Sequence, residues 1–301
     1  MQSIYAMHQN ESDDLDAQER FLRNSIDIIQ DLYLMLLSAL VEIRRAEAEF
    51  LEVSSRKHLA TAADRNPDRK FVDNRVLRAL EESTSLTDAL KERKINNWKL
   101  NDDYILLLLK EIKQSAIYTD YMERKKSSFA DDRSFIIDLY EEVIAPNDKL
   151  YDYLEDHKLT WSDDIPVVNT NVVKQLRSMK EGVPFRVDPL FKDEDDREFI
   201  RDLFRRTVLN ETELAKEYLD KTPNWDTDRI AEVDTIILKM GICEFLKFPS
   251  IPMKVTINEY VEIAKEYSTP KSSIFINGIL DNLAKEFMES DRLNKAGRGL
   301  L

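Results

Sequence analysis

In "EYSTPKSSIFINGILDNL", residues 266–283, a lysine, three serines and a threonine fall within residues 268–273, between two apolar-periodic runs. Small hydroxyl residues ahead of an apolar repeat predict a helix break and restart, with Ser272 or Ser273 capping the second helix. Lys271 and the hydroxyls of Ser272 and Ser273 then lie beside the exposed N–H groups of a helix start. Such an end suits a phosphate, although a plain cap is the commoner reason for such residues. Gly278 costs this helix roughly 1 kcal/mol against alanine, which close approach of a neighbouring helix would offset.

Other chemistry is sparse. His8, His58 and His157 are far apart in sequence and read as surface residues. There is no Gly-rich phosphate loop, no Gly-x-Ser-x-Gly and no Glu-x-x-His pair for a helical di-metal site. The expectation is therefore no enzyme, with no catalytic residue, no metal and no cofactor. Thr256-Ile257-Asn258-Glu259 has the form of a capping box, with Val255 and Tyr260 at the staple positions. Asp234 and Glu244 are placed either to meet a basic protein partner or simply to face solvent.

The elements that carry these residues read as helices. Glycine (5) and proline (9) are too scarce in 301 residues for the turns a sheet protein needs. Apolar periodicity predicts helices over residues 14–53, 73–95, 100–126, 131–157, 197–220, 229–248, 256–267 and 272–290. Thr227 or Asp228 can cap the helix from residue 229, which is apolar almost all round and so central. The fold class is all-α, in helical bundles. Residues 1–160 form an N-terminal helical region. Residues 161–195, with Pro166, Gly182, Pro184 and Pro189, read as an irregular connection. Residues 196–290 form a C-terminal helical core, and 291–301 a frayed tail.

A net charge of −14 argues against a general nucleic-acid coat. From residue 229 onward, however, ten basic residues balance ten acidic ones, which leaves room for a local RNA site. The lone Cys243 fits a reducing cytoplasm. The longest apolar run, about ten residues from Leu32, is half a membrane span. The reading is cytoplasmic, with no membrane partner.

Three linked motifs carry a family resemblance. "IPMKVTINEYVEIAKEYSTPKSSIFINGILDNLAKE" resembles the C-terminal half of the transcription antitermination protein NusB family, with its Val-x-Ile-Asn-Glu and Phe-Val-Asn-Gly-Val-Leu-Asp patterns. "VDTIILKMGICEFLKF" resembles the preceding family helix, with Leu238, Lys239 and Glu244 in place, and "FIRDLFRRTV" an upstream one. "MQSIYAMHQN" is similar to the second half of the first family helix, and the long helical insertion that follows resembles forms found in the Bacteroidetes. The resemblance implies a NusB-like core with a large helical insertion. It also implies binding of boxA-type single-stranded RNA with NusE, a ribosomal small-subunit protein, in an RNA polymerase antitermination complex. Carried over residue by residue, the RNA contacts are Gln2, Tyr5, Lys271, Ser272, Ser273 and Phe275, with Tyr5 or Phe275 against a base. The family's Arg-rich segment is missing before Met1, so a start further upstream is expected. The alternative is a protein-only helical adaptor that has lost RNA binding.

Overall fold

The computed structural model describes residues 1–219, 221 and 230–300. In chain order the helices begin with α1 (Gln2–Gln9), α2 (Leu15–Asp27), α3 (Ile29–Ser55), α4 (Ala62–Arg65), α5 (Arg75–Glu81) and α6 (Thr84–Glu92). They continue with α7 (Asp102–Gln114), α8 (Ala116–Glu123), α9 (Phe129–Leu139), α10 (Asp148–His157) and α11 (Ile165–Ser178). The last are α12 (Glu194–Leu209), α13 (Glu211–Leu219), α14 (Glu232–Lys247), α15 (Met253–Tyr267) and α16 (Pro270–Glu289). The fold is all-α, with no strand among the described residues. No helix among them is long and apolar enough to cross a membrane. The expected caps Thr227 and Asp228 lie outside the described residues, and α14 begins at Glu232.

The chain forms two compact units. One is the continuous stretch Ser25–Leu190, and the other joins Met1–Asn24 to Phe191–Leu301. In the continuous unit α3 is central, because Leu32 to Leu37 and Ala39 to Val41 are all buried and leave no polar face there. Helices α5, α7 and α11 pack against it, and α9 packs on α5 and α11.

Residues 161–195 are not one irregular connection. Helix α11 occupies Ile165–Ser178, with Pro166 in its first turn, where a missing N–H costs nothing. The segment beyond it is tied down by side chains. Ser83 Oγ donates to Phe185 O (2.9 Å), and Gln175 Nε2 donates to Arg186 O (2.6 Å).

A polar junction fixes the α5–α9 contact. Asn74 Oδ1 caps α5 by accepting from the amides of Val76 and Leu77 (2.9 and 3.2 Å). Buried Asp132 accepts from Arg75 Nε (2.8 Å), the Arg75 amide (3.2 Å) and Tyr121 Oη (2.9 Å). Burial pushes the Asp132 carboxyl up, but the hydrogen bonds led by that of Arg75 outweigh it and hold the group below the usual carboxylate range.

In the other unit α14 is central, with Ile236 to Leu238 and Met240 to Phe245 buried. Helices α1, α12, α13, α15 and α16 pack on it. The close approach expected at Gly278 occurs at Gly241 instead. A Cβ on Gly241 would lie 3.0 Å from Leu280 Cδ2 and 3.4 Å from Tyr260 Cδ2, whereas one on Gly278 would meet nothing within 4 Å. Gly278→Ala is therefore expected to stabilise the unit by about 1 kcal/mol, the helix-propensity difference, in denaturant unfolding.

The described residues just after α16 are not frayed. The turn between α14 and α15 contains Pro249 and Pro252, which supply no donors, and its carbonyls are met from the tail. Lys295 Nζ donates to Phe248 O (3.1 Å) and Ile251 O (2.8 Å), and the Ala296 amide donates to Pro249 O (2.9 Å).

Candidate nucleic-acid interface

The turn between α15 and α16 is only Ser268 and Thr269, so "STPKSS" is mostly helix. Thr269, rather than Ser272 or Ser273, is the cap: its Oγ1 accepts from the Ser272 amide at 3.1 Å. Pro270 opens the helix because its fixed φ suits the first turn. The Ser273 amide donates to Thr269 O (3.2 Å). With Pro270 carrying no N–H, the Lys271 amide is the first-turn donor that Thr269 does not take up.

Lys271 is exposed and makes no ion pair among the described residues. Ser272 is half-buried, with its hydroxyl 2.9 Å from Thr269 Oγ1. Ser273 is buried, and its hydroxyl donates to Pro270 O at 2.9 Å. The anion-binding capacity is thus smaller than the sequence suggests. It rests on the Lys271 ammonium, the Lys271 amide and the Thr269–Ser272 hydroxyl pair. Phe275 is half-buried against the core of this unit.

Gln2 and Tyr5 lie on the exposed side of α1, opposite Ile4 and Met7, which are buried. Helices α1 and α16 both pack on α14, which is how one element comes to carry both groups of predicted residues.

Position of α1 depends on a side chain that the sequence reading places on the surface. His8 is half-buried, with Nε2 2.8 Å from Glu211 Oε1 and Nδ1 2.9 Å from Glu232 Oε1. Glu211 also accepts from Lys239 Nζ at 2.6 Å. Burial pushes the Glu211 carboxyl up, and the bonds and charges of Lys239 and His8 outweigh it and hold it low. More than two hundred residues separate His8 from Glu211, so no local pattern announces the contact.

Asp234 and Glu244 are not at the surface, which corrects their expected partner-facing role. Asp234 is buried and accepts from Ser268 Oγ (2.6 Å), tying the α15–α16 turn to the start of α14. Glu244 is buried between α14 and α15, accepting from Thr256 Oγ1 (2.6 Å) and Tyr260 Oη (3.1 Å). The expected capping box is overturned by the same contacts. Helix α15 begins at Met253 after Pro252, so Thr256 is inside it and serves Glu244, while Glu259 is exposed.

Burial pushes the Glu244 carboxyl above its ordinary value, against the hydrogen bonds of Thr256 and Tyr260. A raised folded-state pKa stabilises below the unfolded value of about 4.3, and that contribution is lost as pH rises through the folded value. Glu244→Gln keeps one acceptor oxygen, puts at the other position an NH2 that can donate to the second hydroxyl oxygen, and removes the buried charge. It is expected to raise the thermal midpoint at neutral pH, with the gain disappearing below about pH 4.

Part of the chain is similar to known proteins. The NusB family model matches residues 174–285. A transcription antitermination protein NusB of Salinibacter ruber is 45% identical over 114 residues, covering 38% of this chain and 71% of the relative. The protein of that name from Chloroherpeton thalassium is 38% identical over 105 residues (35% and 50%). That from Natranaerobius thermophilus is 48% identical over 95 residues (30% and 64%). Among solved structures, T. maritima NusB aligns with a TM-score of 0.31 at 27% identity, over 47% of this chain and 89% of that one. The chain belongs to the NusB family.

Proposed function

We propose that this chain acts in transcription antitermination, holding boxA-type single-stranded RNA together with a NusE-type ribosomal small-subunit protein in an RNA polymerase antitermination complex. Family membership is the observation that carries the reading, through relatives named for that role. Geometry supports it. Lys271 presents an ammonium and an amide at one helix start, and Tyr5 presents an exposed ring on a helix packed on the same α14. In this reading Lys271 meets a phosphate and Tyr5 or Phe275 lies against a base, with Gln2 beside them. Ser272 contributes a hydroxyl, whereas buried Ser273 acts by shaping the turn. No catalytic step is involved.

Titration of boxA-type RNA into the protein, with and without the ribosomal partner, tests the reading. Lys271→Ala is expected to weaken all RNA sequences nearly equally and to flatten the log–log salt slope by about 0.7, one single-strand phosphate contact. The limited anion capacity of the α16 start favours a second reading, a protein-only adaptor. Partner binding with no RNA dependence, and no effect of Lys271→Ala, would establish it.

A further inference from the structure

The continuous unit Ser25–Leu190 carries an open cleft of about 510 Å³ between α3, α5, α6 and the turn Asn97–Lys99, within the size range of ligand-binding clefts. Its floor is aliphatic, from Val41, Leu86, Leu90 and Ile95. Around it stand Lys91, Lys94 and Lys99, all exposed, and none makes an ion pair among the described residues. The carboxylates in the cleft are already engaged. Glu42 accepts from Arg45 Nη1 (2.7 Å), and Glu81 accepts from Arg45 Nε (2.7 Å) and pairs with Arg44. The rim is therefore net positive in a chain of net charge −14.

Lys94 adds an independent sign. Helix α6 ends with Lys94 N–H donating to Lys91 O (3.2 Å) and Ile95 N–H to Leu90 O (2.9 Å), with Lys94 at φ +57°. That is a Schellman end, where glycine is sterically favoured. A lysine here carries backbone strain that glycine would avoid, and it places a third ammonium on the rim.

We propose that this cleft docks an acidic amphipathic peptide of a partner protein, its apolar side chains on the aliphatic floor and its carboxylates against Lys91, Lys94 and Lys99. An RNA strand fits less well, because base binding uses exposed aromatic faces. The aromatic residue of the cleft, Trp98, is buried, with its indole N–H spent on Met35 O (3.1 Å) and Ser38 Oγ (3.0 Å). Aliphatic grooves with a charged rim suit helices that present apolar anchors three or four residues apart.

The test uses the full chain and a short labelled peptide with leucines every third or fourth residue among glutamates, followed by fluorescence anisotropy. The glutamate peptide is expected to bind and to weaken as salt is raised, while its lysine-for-glutamate counterpart does not bind. The triple variant K91E/K94E/K99E should lose about tenfold or more in affinity with an unchanged unfolding midpoint. Lys94→Gly, which relieves the positive φ, should fold at least as stably and bind a few-fold more weakly. The proposal falls if neither peptide binds, if both bind alike, or if the triple variant binds as the parent does. Displacement of the peptide by single-stranded RNA that cross-links to these lysines would assign the cleft to nucleic acid instead. The outcome is independent of the boxA reading, which concerns other residues and another probe.

Discussion

Asp132→Ala is expected to destabilise the continuous helical unit by about 2–4 kcal/mol, the combined scale of the hydrogen bonds that its buried carboxylate accepts. The substitution would leave the Arg75 guanidinium without its 2.8 Å partner and Tyr121 Oη without its acceptor. Asn74 also loses support, since its Nδ2 donates to Tyr121 Oη (3.2 Å) while its Oδ1 caps α5. Denaturant unfolding at neutral pH measures the loss. Because the folded-state pKa of Asp132 is depressed, the stabilisation is complete above the unfolded value of about 3.9 and is lost as pH falls through the folded value. The gap between variant and parent should therefore narrow on acidification. A constant gap at all pH values would mean that the carboxylate charge contributes nothing.

Glu211→Ala is the second large effect, about 2–3 kcal/mol, the scale of hydrogen bonds to charged groups. Two groups lose their partner at once: Lys239, whose side chain is only 13% exposed, and His8. The Glu232 contact alone would then hold the ring of His8, so the loss should be felt most in α1. Hydrogen exchange in Gln2–Gln9 is expected to accelerate more than in α15 or α16. The depressed Glu211 carboxyl fixes the sign with pH here too: its stabilisation is present above about pH 4.3 and lost as pH falls through the folded value. If Glu211→Gln matched the parent in both stability and exchange, the charge would be irrelevant to the clasp.

The helical class and the central positions of α3 and α14 were legible because an apolar stripe, or an apolar run all round, survives in the sequence itself. Boundaries were less so. The expected helix over 73–95 breaks at Ser83, that over 100–126 at Ser115, and that over 131–157 at Asn147, each a side-chain cap for the next helix. Apolar spacing continues across such residues, so periodicity alone runs two helices together. The reverse error occurred at Thr256, where a cap-like pattern lies inside a helix because the real hydroxyl partner, Glu244, is on another element. Of the candidate site, Lys271 and Tyr5 are as exposed as a contact role needs. Asp234, Glu244 and Ser273 are not, since burial depends on packing that a single sequence does not display.

The division of the chain has a consequence for its synthesis. The unit Ser25–Leu190 is one continuous stretch, whereas α1, made before it, packs on α14, made after it. At about 5–20 residues per second, the interval between them is on the order of 10–50 seconds. Throughout that time Ile4 and Met7 have no completed core to enter, and the apolar face of α1 waits for its partner helix while the whole continuous unit is made.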